Sequence, residues 1–234
     1  MRSIALIPAR LASSRFPNKP LHKILGQELI LHVCNLASRC KNINEILVVT
    51  PDREIVDCVF RAGYDSIMTS EYPSCTHRVA AAVKTLSDNY DLVVNIQGDE
   101  PCIDPFLIDS MIQAAAEQKL DMVQAVYPLV QEDIADPDCV KAIINNNQII
   151  GLTRRPELIT TNLVGIAGVY VYSYNTIVNF DRYDQTLVEA WKGLDTFAFI
   201  GAVPVSPFMF PKRTPAVDNP DDILKVEHEI SNRH

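Results

Sequence analysis

The sequence predicts an α/β protein built on a Rossmann-like, doubly wound and mostly parallel sheet. In the first 120 residues, four short apolar runs alternate with four longer segments whose apolar residues recur at helical spacing. Strands that are buried on both faces and joined by helices produce this alternation. Ligands of such sheets bind beyond the carboxyl ends of the strands, so the loops that follow the strands form the candidate site.

The elements of this first half can be assigned in order. The predicted strands are 3–9, 45–50, 66–70 and 91–97, and the predicted helices are 28–40, 54–63, 77–86 and 105–119. Gly63 is suited to the end of the second helix, and Thr76 is suited to cap the third. The first and fourth strands are expected to bring their loops to the same rim of the sheet.

From about residue 121 the alternation weakens and strand-like runs dominate. These runs are "MVQAVYPL", "CVKAII", "QIIGL", "AGVYVYS" and "FAFIGAVPV", and a short helix is expected over "TLVEAWKGL". The pattern predicts a small antiparallel subdomain laid over the sheet edge. "NPDDILKVEHEI" closes the chain as a helix that Asn219 caps. We therefore expect one domain over 1–234, with a core at 1–120, a substrate-binding subdomain at about 121–215 and a returning helix at 216–234.

Composition argues against several classes of protein. The net charge is −8 with a pI near 5.1, whereas a general nucleic-acid binder needs a basic surface, so no nucleic-acid partner is expected. No stretch approaches ~18 uninterrupted apolar residues and the N-terminus lacks a signal-peptide layout, which predicts a cytoplasmic protein with no membrane partner. The six cysteines form no C-x-x-C pair and are expected to be free thiols. Cys75, in polar surroundings, is the candidate for a reactive one.

The clearest functional signal is the basic loop "PARLASSRFPNKPL" after the first strand. It places Arg10, Arg15 and Lys19 together with the hydroxyls of Ser13 and Ser14, and no acidic residue occurs among the first twenty. Guanidinium and ammonium groups at a strand-to-helix rim suit a polyphosphate. A solvated basic loop is the alternative interpretation. The chain lacks G-x-x-x-x-G-K-[ST] and G-x-G-x-x-G, which argues against a P-loop ATPase and a dinucleotide oxidoreductase.

Three motifs together resemble those of a known family. "IPARLASSRFPNKPL" is similar to the nucleotide-binding signature of the sugar-activating cytidylyltransferases, most of all the 3-deoxy-D-manno-octulosonate cytidylyltransferase (CMP-Kdo synthetase) family. "NIQGDEP" and "VDNPDD" match that family's other signatures in order and at similar spacing, so the resemblance spans nearly the whole chain. It implies a fold of the nucleotide-diphospho-sugar transferase type and a homodimer. The implied activity is Mg²⁺-dependent transfer of CMP from CTP to the anomeric hydroxyl of an acidic 3-deoxy-2-ketosugar, with release of pyrophosphate.

The resemblance also implies roles for individual residues. Asp99 and the distant Asp218 would hold Mg²⁺, which commonly takes one or two protein carboxylates and completes its shell with phosphate oxygens and water. Glu100 points to the opposite face of the strand from Asp99 and is assigned a supporting role. The expected catalytic residues are Arg10, Lys19 and Asp99. The expected nucleotide contacts are Ala9, Arg10, Ser13, Ser14, Arg15, Lys19, Ser74, Thr76, Arg78 and Gln97.

The sugar-binding half departs from the family pattern. Arg154 in "GLTRRP" matches an arginine suited to a sugar carboxylate, and Tyr170 and Glu189 are further sugar-site candidates. Ile166 stands where the family has histidine, and Gly193 stands where it has glutamine. Losing two polar contacts alters the recognition of sugar hydroxyls. The interpretations left open are a diverged Kdo enzyme, a cytidylyltransferase for a different acidic sugar or alcohol, and a non-catalytic CTP-binding protein.

Overall fold

Strands and helices alternate along most of the chain. The computed structural model describes residues 1–13, 15–86, 90–155, 162–186, 188 and 194–232. Its strands are β1 (Ser3–Pro8), β2 (Lys23–Ile24), β3 (Gln27–Glu28), β4 (Glu45–Thr50), β5 (Asp65–Met68), β6 (Leu92–Ile96), β7 (Met122–Tyr127), β8 (Lys141–Asn145), β9 (Gln148–Thr153), β10 (Leu163–Ser173) and β11 (Val205–Met209). The α-helices of the described residues are α1 (Leu29–Ala37), α2 (Arg53–Arg61), α3 (Cys75–Val83), α4 (Pro105–Gln118), α5 (Gln131–Ala135), α6 (Tyr174–Val178) and α7 (Ile223–Ser231). Short 3₁₀ turns occur at Lys19–Leu21, Phe180–Arg182, Asp195–Ala198 and Pro220–Asp222.

A nine-stranded sheet runs through the centre of the protein. Its spatial order is β11, β7, β10, β6, β1, β4 and β5, with the β8–β9 hairpin attached to β10. β1 pairs in parallel with β4 and β6, and β4 pairs in parallel with β5. Every residue of β1 is buried, and apolar clusters fill both faces of the sheet. These features confirm the predicted α/β class and place the carboxyl ends of β1 and β6 side by side.

The second half of the chain does not lie over the sheet edge as expected. β10 runs antiparallel in the middle of the sheet, between β6 and β7, and β11 continues the sheet beyond β7. β10 has apolar side chains on both faces: Val169 and Val171 pack into one cluster, and Tyr172 packs into the other. Only an interior strand can bury both faces, which is why β10 occupies this place.

Three local predictions need correction. Ser74, rather than Thr76, caps α3, because its side chain accepts a hydrogen bond from the His77 N–H. "FAFIGAVPV" begins with a 3₁₀ turn instead of a strand, and Gly201, at φ +89°, reverses the chain before β11. Asn219 caps a 3₁₀ turn that leads into α7. The helix expected over "TLVEAWKGL" falls largely outside the described residues.

None of the described helices combines the length and apolar character that a membrane crossing requires. The proposed division into a core, a substrate-binding subdomain and a returning helix stays a prediction.

Candidate active site

A cavity of about 260 Å³, called the first cavity, opens at the carboxyl ends of β1 and β6. Most of the nucleotide contacts expected from the sequence gather around it. The lining residues are Pro8, Ala9, Arg10, Ala12, Ser13, Arg15, Lys19, Pro20, Cys75, Arg78, Gln97, Gly98 and Asp99. Ser74 and Thr76 are not among them, and Ser14 lies outside the described residues. The cavity is therefore built from the basic loop, the start of α3 and the loop after β6.

Backbone hydrogen bonds hold the basic loop in a fixed shape. The N–H of Leu11 donates to Asp52 Oδ2 (2.7 Å), and the N–H of Asn18 donates to the Leu11 carbonyl (3.1 Å). Asn18 adopts a left-handed conformation with φ 58°, which asparagine tolerates better than most residues. The loop thus closes on itself and presents its cations on one side.

Two cations of this loop neutralise the predicted metal-binding carboxylates. Lys19, whose side chain is only 13% exposed, donates from Nζ to Asp99 Oδ2 (2.6 Å) and to the Val217 carbonyl (2.7 Å). Arg15 donates to Asp218 Oδ1 (2.9 Å) and to Asp138 Oδ1 (2.8 Å). Charged groups from four separate parts of the chain therefore meet at this point.

Asp99 and Asp218 form the acidic centre of the site. The N–H of Val217 donates to the backbone carbonyl of Asp99 (3.0 Å), which fixes the two segments against each other. Burial, and next the charge of Asp99, raises the pKa of the Asp218 carboxyl. Among the described residues, no cluster of three or more His, Cys, Asp or Glu side chains forms a complete metal cage. Two carboxylates beside an anion-binding loop fit a magnesium ion whose remaining ligands are phosphate oxygens and water.

Glu100 follows Asp99 in the chain and hydrogen-bonds to β10. Its Oε1 accepts a hydrogen bond from the N–H of Gly168 (2.8 Å), and its Oε2 is buried without a hydrogen-bond partner. Burial, and next the charge of Asp99, raises the pKa of the Glu100 carboxyl to about 8. The neighbouring Gly98 packs against β1, since a Cβ there would lie 2.9 Å from the Pro8 carbonyl oxygen. The absence of a side chain at Gly98 therefore lets the loop after β6 lie close to β1.

The start of α3 supplies a buried arginine to the first cavity. The Arg78 side chain is 1% exposed, its Nε and Nη2 have no hydrogen-bond partner, and Glu71 lies at 3.8 Å. Burial lowers its pKa, and a guanidinium held in this way is available to a ligand. Burial also raises the pKa of the Cys75 thiol to about 11, so this residue is a neutral wall group instead of a reactive thiolate.

A second cavity of about 190 Å³ adjoins the first and shares Arg15 and Asp99 with it. The second cavity is lined by Arg15, Asp99, Glu100, Tyr127, Asp138, Cys139, Val140, Arg154, Ile166, Ala167, Gly168, Tyr170, Arg213, Thr214, Ala216 and Asp218. Arg154 donates from Nη1 to the carbonyls of Pro137 (3.3 Å) and Asp138 (3.0 Å). The third predicted sugar-site residue, Glu189, and Gly193 lie outside the described residues.

The sequence analysis missed Arg213, which lines this cavity together with Arg15 and Arg154. Its Nη1 donates to Asp133 Oδ1 (2.8 Å) and Asp136 Oδ2 (3.0 Å), and these carboxylates hold the guanidinium in place. The available signal was the basic pair "KR" shortly before "VDNPDD". A larger cavity of about 490 Å³ is lined by residues 211–216 and the segments around α5 and α7, and it contains none of the predicted site residues.

A doubly wound sheet with a basic loop after β1 and a carboxylate after β6 defines a nucleotidyltransferase, and comparison with known proteins agrees. The family model described as cytidylyltransferase matches residues 4–160. The chain is 32% identical over 233 residues to a 3-deoxy-manno-octulosonate cytidylyltransferase of Nitratidesulfovibrio vulgaris, covering 93% of this chain and 92% of the relative. It is 33% identical over 243 residues to an 8-amino-3,8-dideoxy-manno-octulosonate cytidylyltransferase of Shewanella sp., covering 99% of both.

The fold comparison agrees with these relatives. A solved structure of CMP:2-keto-3-deoxy-manno-octonic acid synthetase complexed with CTP superposes with a TM-score of 0.89, at 25% identity, over 100% of both chains. The chain belongs to the cytidylyltransferase family, in the group of the CMP-Kdo synthetases.

Proposed function

We propose that the protein transfers CMP from CTP to the anomeric hydroxyl of an acidic 3-deoxy-2-ketosugar, with Kdo as the first candidate, in a Mg²⁺-dependent reaction that releases pyrophosphate. The observation that carries this proposal is the junction of the two cavities at Arg15 and Asp99. A nucleotide in the first cavity and a sugar in the second would bring their reacting groups to this junction. Holding two reactants at one point supplies a large part of the rate enhancement in a two-substrate reaction.

The basic loop is suited to the triphosphate. Arg10, Arg15 and Lys19 would bind its oxygens and stabilise the charge that develops as the bond to pyrophosphate breaks. Arg15 and Lys19 pair with Asp218 and Asp99, so the cations of the loop lie directly beside the acidic centre. Asp99 and Asp218 would hold Mg²⁺, which when bound supplies positive charge to the phosphate oxygens.

The nucleoside would be held at the start of α3. Arg78 has buried, unpartnered N–H groups, and Gln97 offers a donor and an acceptor to a base edge. Ser74 and Thr76 act through the shape of this segment: the Ser74 hydroxyl caps α3, and the N–H of Thr76 donates to Asp195 Oδ2 (3.1 Å). Their direct contact with the nucleotide stays a prediction.

The second cavity is suited to an acidic acceptor. Arg154 and Arg213 provide guanidinium groups for a carboxylate, and Tyr170 provides an aromatic wall. The anomeric oxygen would form a bond to the α-phosphorus, pyrophosphate would leave with the electrons of the broken P–O bond, and the hydroxyl proton would pass to solvent. Ile166 makes part of the wall apolar, which favours a sugar with fewer hydroxyl contacts on that side.

Pyrophosphate release in the presence of CTP, Mg²⁺ and Kdo tests the proposal. We expect turnover that stops when EDTA removes the metal and that falls when ATP or UTP replaces CTP. A panel of other acidic sugars, including the 8-amino analogue, would identify a different acceptor. Magnesium-dependent CTP binding without turnover of any acceptor would contradict the enzymatic proposal and favour a CTP-binding protein. A homodimer and a cytoplasmic location remain predictions.

A further inference from the structure

A bulge in β10 lies against the loop that carries Asp99. Ile166 pairs with Val126 of β7 and Tyr170 pairs with Gln124, so β10 advances four residues where β7 advances two. Gly168 lies within this bulge, where its N–H donates to Glu100 Oε1 (2.8 Å) and its carbonyl accepts from the N–H of Gln97 (2.9 Å). The loop after β6 therefore holds Gly168 through both its N–H and its carbonyl.

The fit between this loop and Gly168 leaves no room for a side chain. A Cβ on Gly168 would lie 2.8 Å from Gln97 Cγ and 2.8 Å from both Cγ and Oε1 of Glu100. Contacts of this length displace neighbouring groups, and of these two side chains Glu100 is buried and Gln97 is half-buried. Glycine in the bulge and glutamate in the loop are thus matched to each other.

The bulge forms one wall of the second cavity. Ile166, Ala167, Gly168 and Tyr170 all contribute to its lining. Side chains alternate between faces along a strand, so a change of register would turn Tyr170 away from the cavity. Pairing with β6 and β7 sets the register from Tyr170 onward, and the two hydrogen bonds at Gly168 hold the bulge that precedes it against the loop.

We infer that Glu100 is a positioning residue for acceptor recognition: it fixes the β10 bulge, and thereby the wall of the second cavity, in register with Asp99. The Oε1 of Glu100 is engaged by Gly168, and the proposed metal ligands remain Asp99 and Asp218. This inference rests on the proposed function, since it names how the same site aligns the acceptor with the nucleotide.

Kinetics with both substrates test this role. For Glu100→Ala we expect the KM for the acceptor to rise about tenfold, the effect of leaving the N–H of Gly168 without its hydrogen-bond partner, with little change in Mg²⁺-dependent CTP binding. Glu100→Gln keeps an acceptor oxygen for Gly168 and should restore the acceptor KM to near the wild-type value. An equal loss of CTP binding in Glu100→Ala, or a glutamine variant no better than alanine, would overturn the inference.

A matched pair of glycine variants tests the contact between Glu100 and Gly168 by changing the glycine instead of the glutamate. Gly168→Ala should raise the acceptor KM as Glu100→Ala does, whereas Gly151→Ala in β9 should not, because the nearest atom to its new Cβ is Ile143 Cδ1 at 3.3 Å. Equal effects of the two substitutions would count against a specific fit at Gly168.

Hydrogen exchange measured by NMR separates this inference from the proposed function. The amide of Gly168 should exchange about tenfold faster in Glu100→Ala than in the wild type, and should stay protected in Glu100→Gln. This readout needs no turnover. If no acidic sugar is a substrate, the proposed function fails while the exchange data still decide whether Glu100 holds the bulge; unchanged exchange in Glu100→Ala would refute it.

Discussion

The first cavity and the second cavity are built in different ways. The first cavity takes most of its lining from loops that directly follow β1 and β6, two neighbouring parallel strands. The second cavity combines residues of β7, β10 and the segments around Asp138, Arg154 and Arg213. The first is a local product of a parallel sheet, whereas the second depends on an antiparallel strand inserted at the sheet centre.

This difference indicates how the two halves of the site can vary. Charge on a closed loop is sufficient to bind a triphosphate, so its residues are tied to a compact stretch of sequence. The acceptor cavity is assembled from many segments, and each can change the shape or polarity of one wall. Apart from Arg15, Asp99 and Asp218, which serve the junction and the proposed metal, substitutions in the first cavity should affect CTP binding and catalysis, and those in the second should affect the acceptor.

The largest effect is expected for Asp99→Asn. Removing the carboxylate weakens the proposed metal site and leaves the Lys19 ammonium without its ion pair, so turnover should fall about 10³-fold. Pyrophosphate release measures the loss, and circular dichroism checks that the fold is intact. Asp57→Asn makes the same chemical change on the exposed surface of α2 and should be neutral. Near-normal activity of Asp99→Asn would remove the assignment of Asp99 as a metal ligand.

A loss of about 10²-fold is expected for Lys19→Met, which removes the phosphate-loop ammonium and keeps its length and packing. The KM for CTP should rise and kcat should fall, while the KM for the acceptor should change little. Lys23→Met is the control, because Lys23 is exposed and lies 3.9 Å from its partner Glu28. If Lys19→Met changed only the KM for the acceptor, the assignment of Lys19 to the nucleotide-binding half of the site would be wrong.

Arg154→Met should raise the KM for the acceptor about tenfold to a hundredfold and leave the KM for CTP near the wild-type value. The substitution removes a charge-assisted contact with the sugar carboxylate. Initial-rate kinetics with each substrate varied in turn check the split. Arg155→Met at the adjacent, exposed position is the matched control. Parallel changes in both KM values would indicate that Arg154 acts through the fold, by its bonds to residues 137 and 138.

The smallest effect is expected on stability, for Arg213→Met. This change leaves the buried Asp133 carboxylate without its ion pair, and because Arg213 is 40% exposed we expect a loss of about 1 kcal/mol in the free energy of unfolding. Urea unfolding at neutral pH measures it. Lys84→Met, which breaks an exposed ion pair with Asp181, should have almost no effect. Equal losses in the two variants would show that Arg213 is not held by a buried pair.

The stability difference should also depend on pH. Burial opposes ionisation of Asp136, but hydrogen bonds from the Asp138 N–H and from Arg213 outweigh it and lower its pKa. Because the pKa of Asp136 is lower in the folded state than in the unfolded state, its ionisation stabilises the fold at any pH above the unfolded-state pKa, near 4. This contribution disappears as the pH falls through the folded-state pKa. The wild type should therefore lose its advantage over Arg213→Met in acid. If the difference in the free energy of unfolding between the wild type and Arg213→Met increased in acid, this prediction would be wrong.

Most of the first half could be predicted because its signals are local. β4 was placed at its observed bounds, and β1, β6 and α4 were placed to within one or two residues. The cap of α3 was misassigned to Thr76 because Ser74 and Thr76 both suit an N-cap, and only the backbone geometry shows which hydroxyl accepts the bond. "FAFIGAVPV" was taken for a strand because an apolar run does not reveal the turn at Gly201.

Arg213 and the role of Glu100 could not be predicted, since both depend on contacts between segments far apart in the chain. Arg213 is held by carboxylates 77 and 80 positions away, and Glu100 contacts a glycine 68 positions away. The periodicity of apolar residues indicates local structure and does not reveal which distant residues come into contact.

The sequence by itself determined the α/β class, the basic loop and the separation of Asp99 from Glu100, because strand period, apolar spacing and clustered charge act over a few residues. The tertiary structure decided that β10 lies in the middle of the sheet, that Lys19 and Arg15 pair with Asp99 and Asp218, and that the loop after β6 holds Gly168 in the β10 bulge. These features depend on burial and on hydrogen bonds between distant segments, and such interactions exist only once the chain has folded.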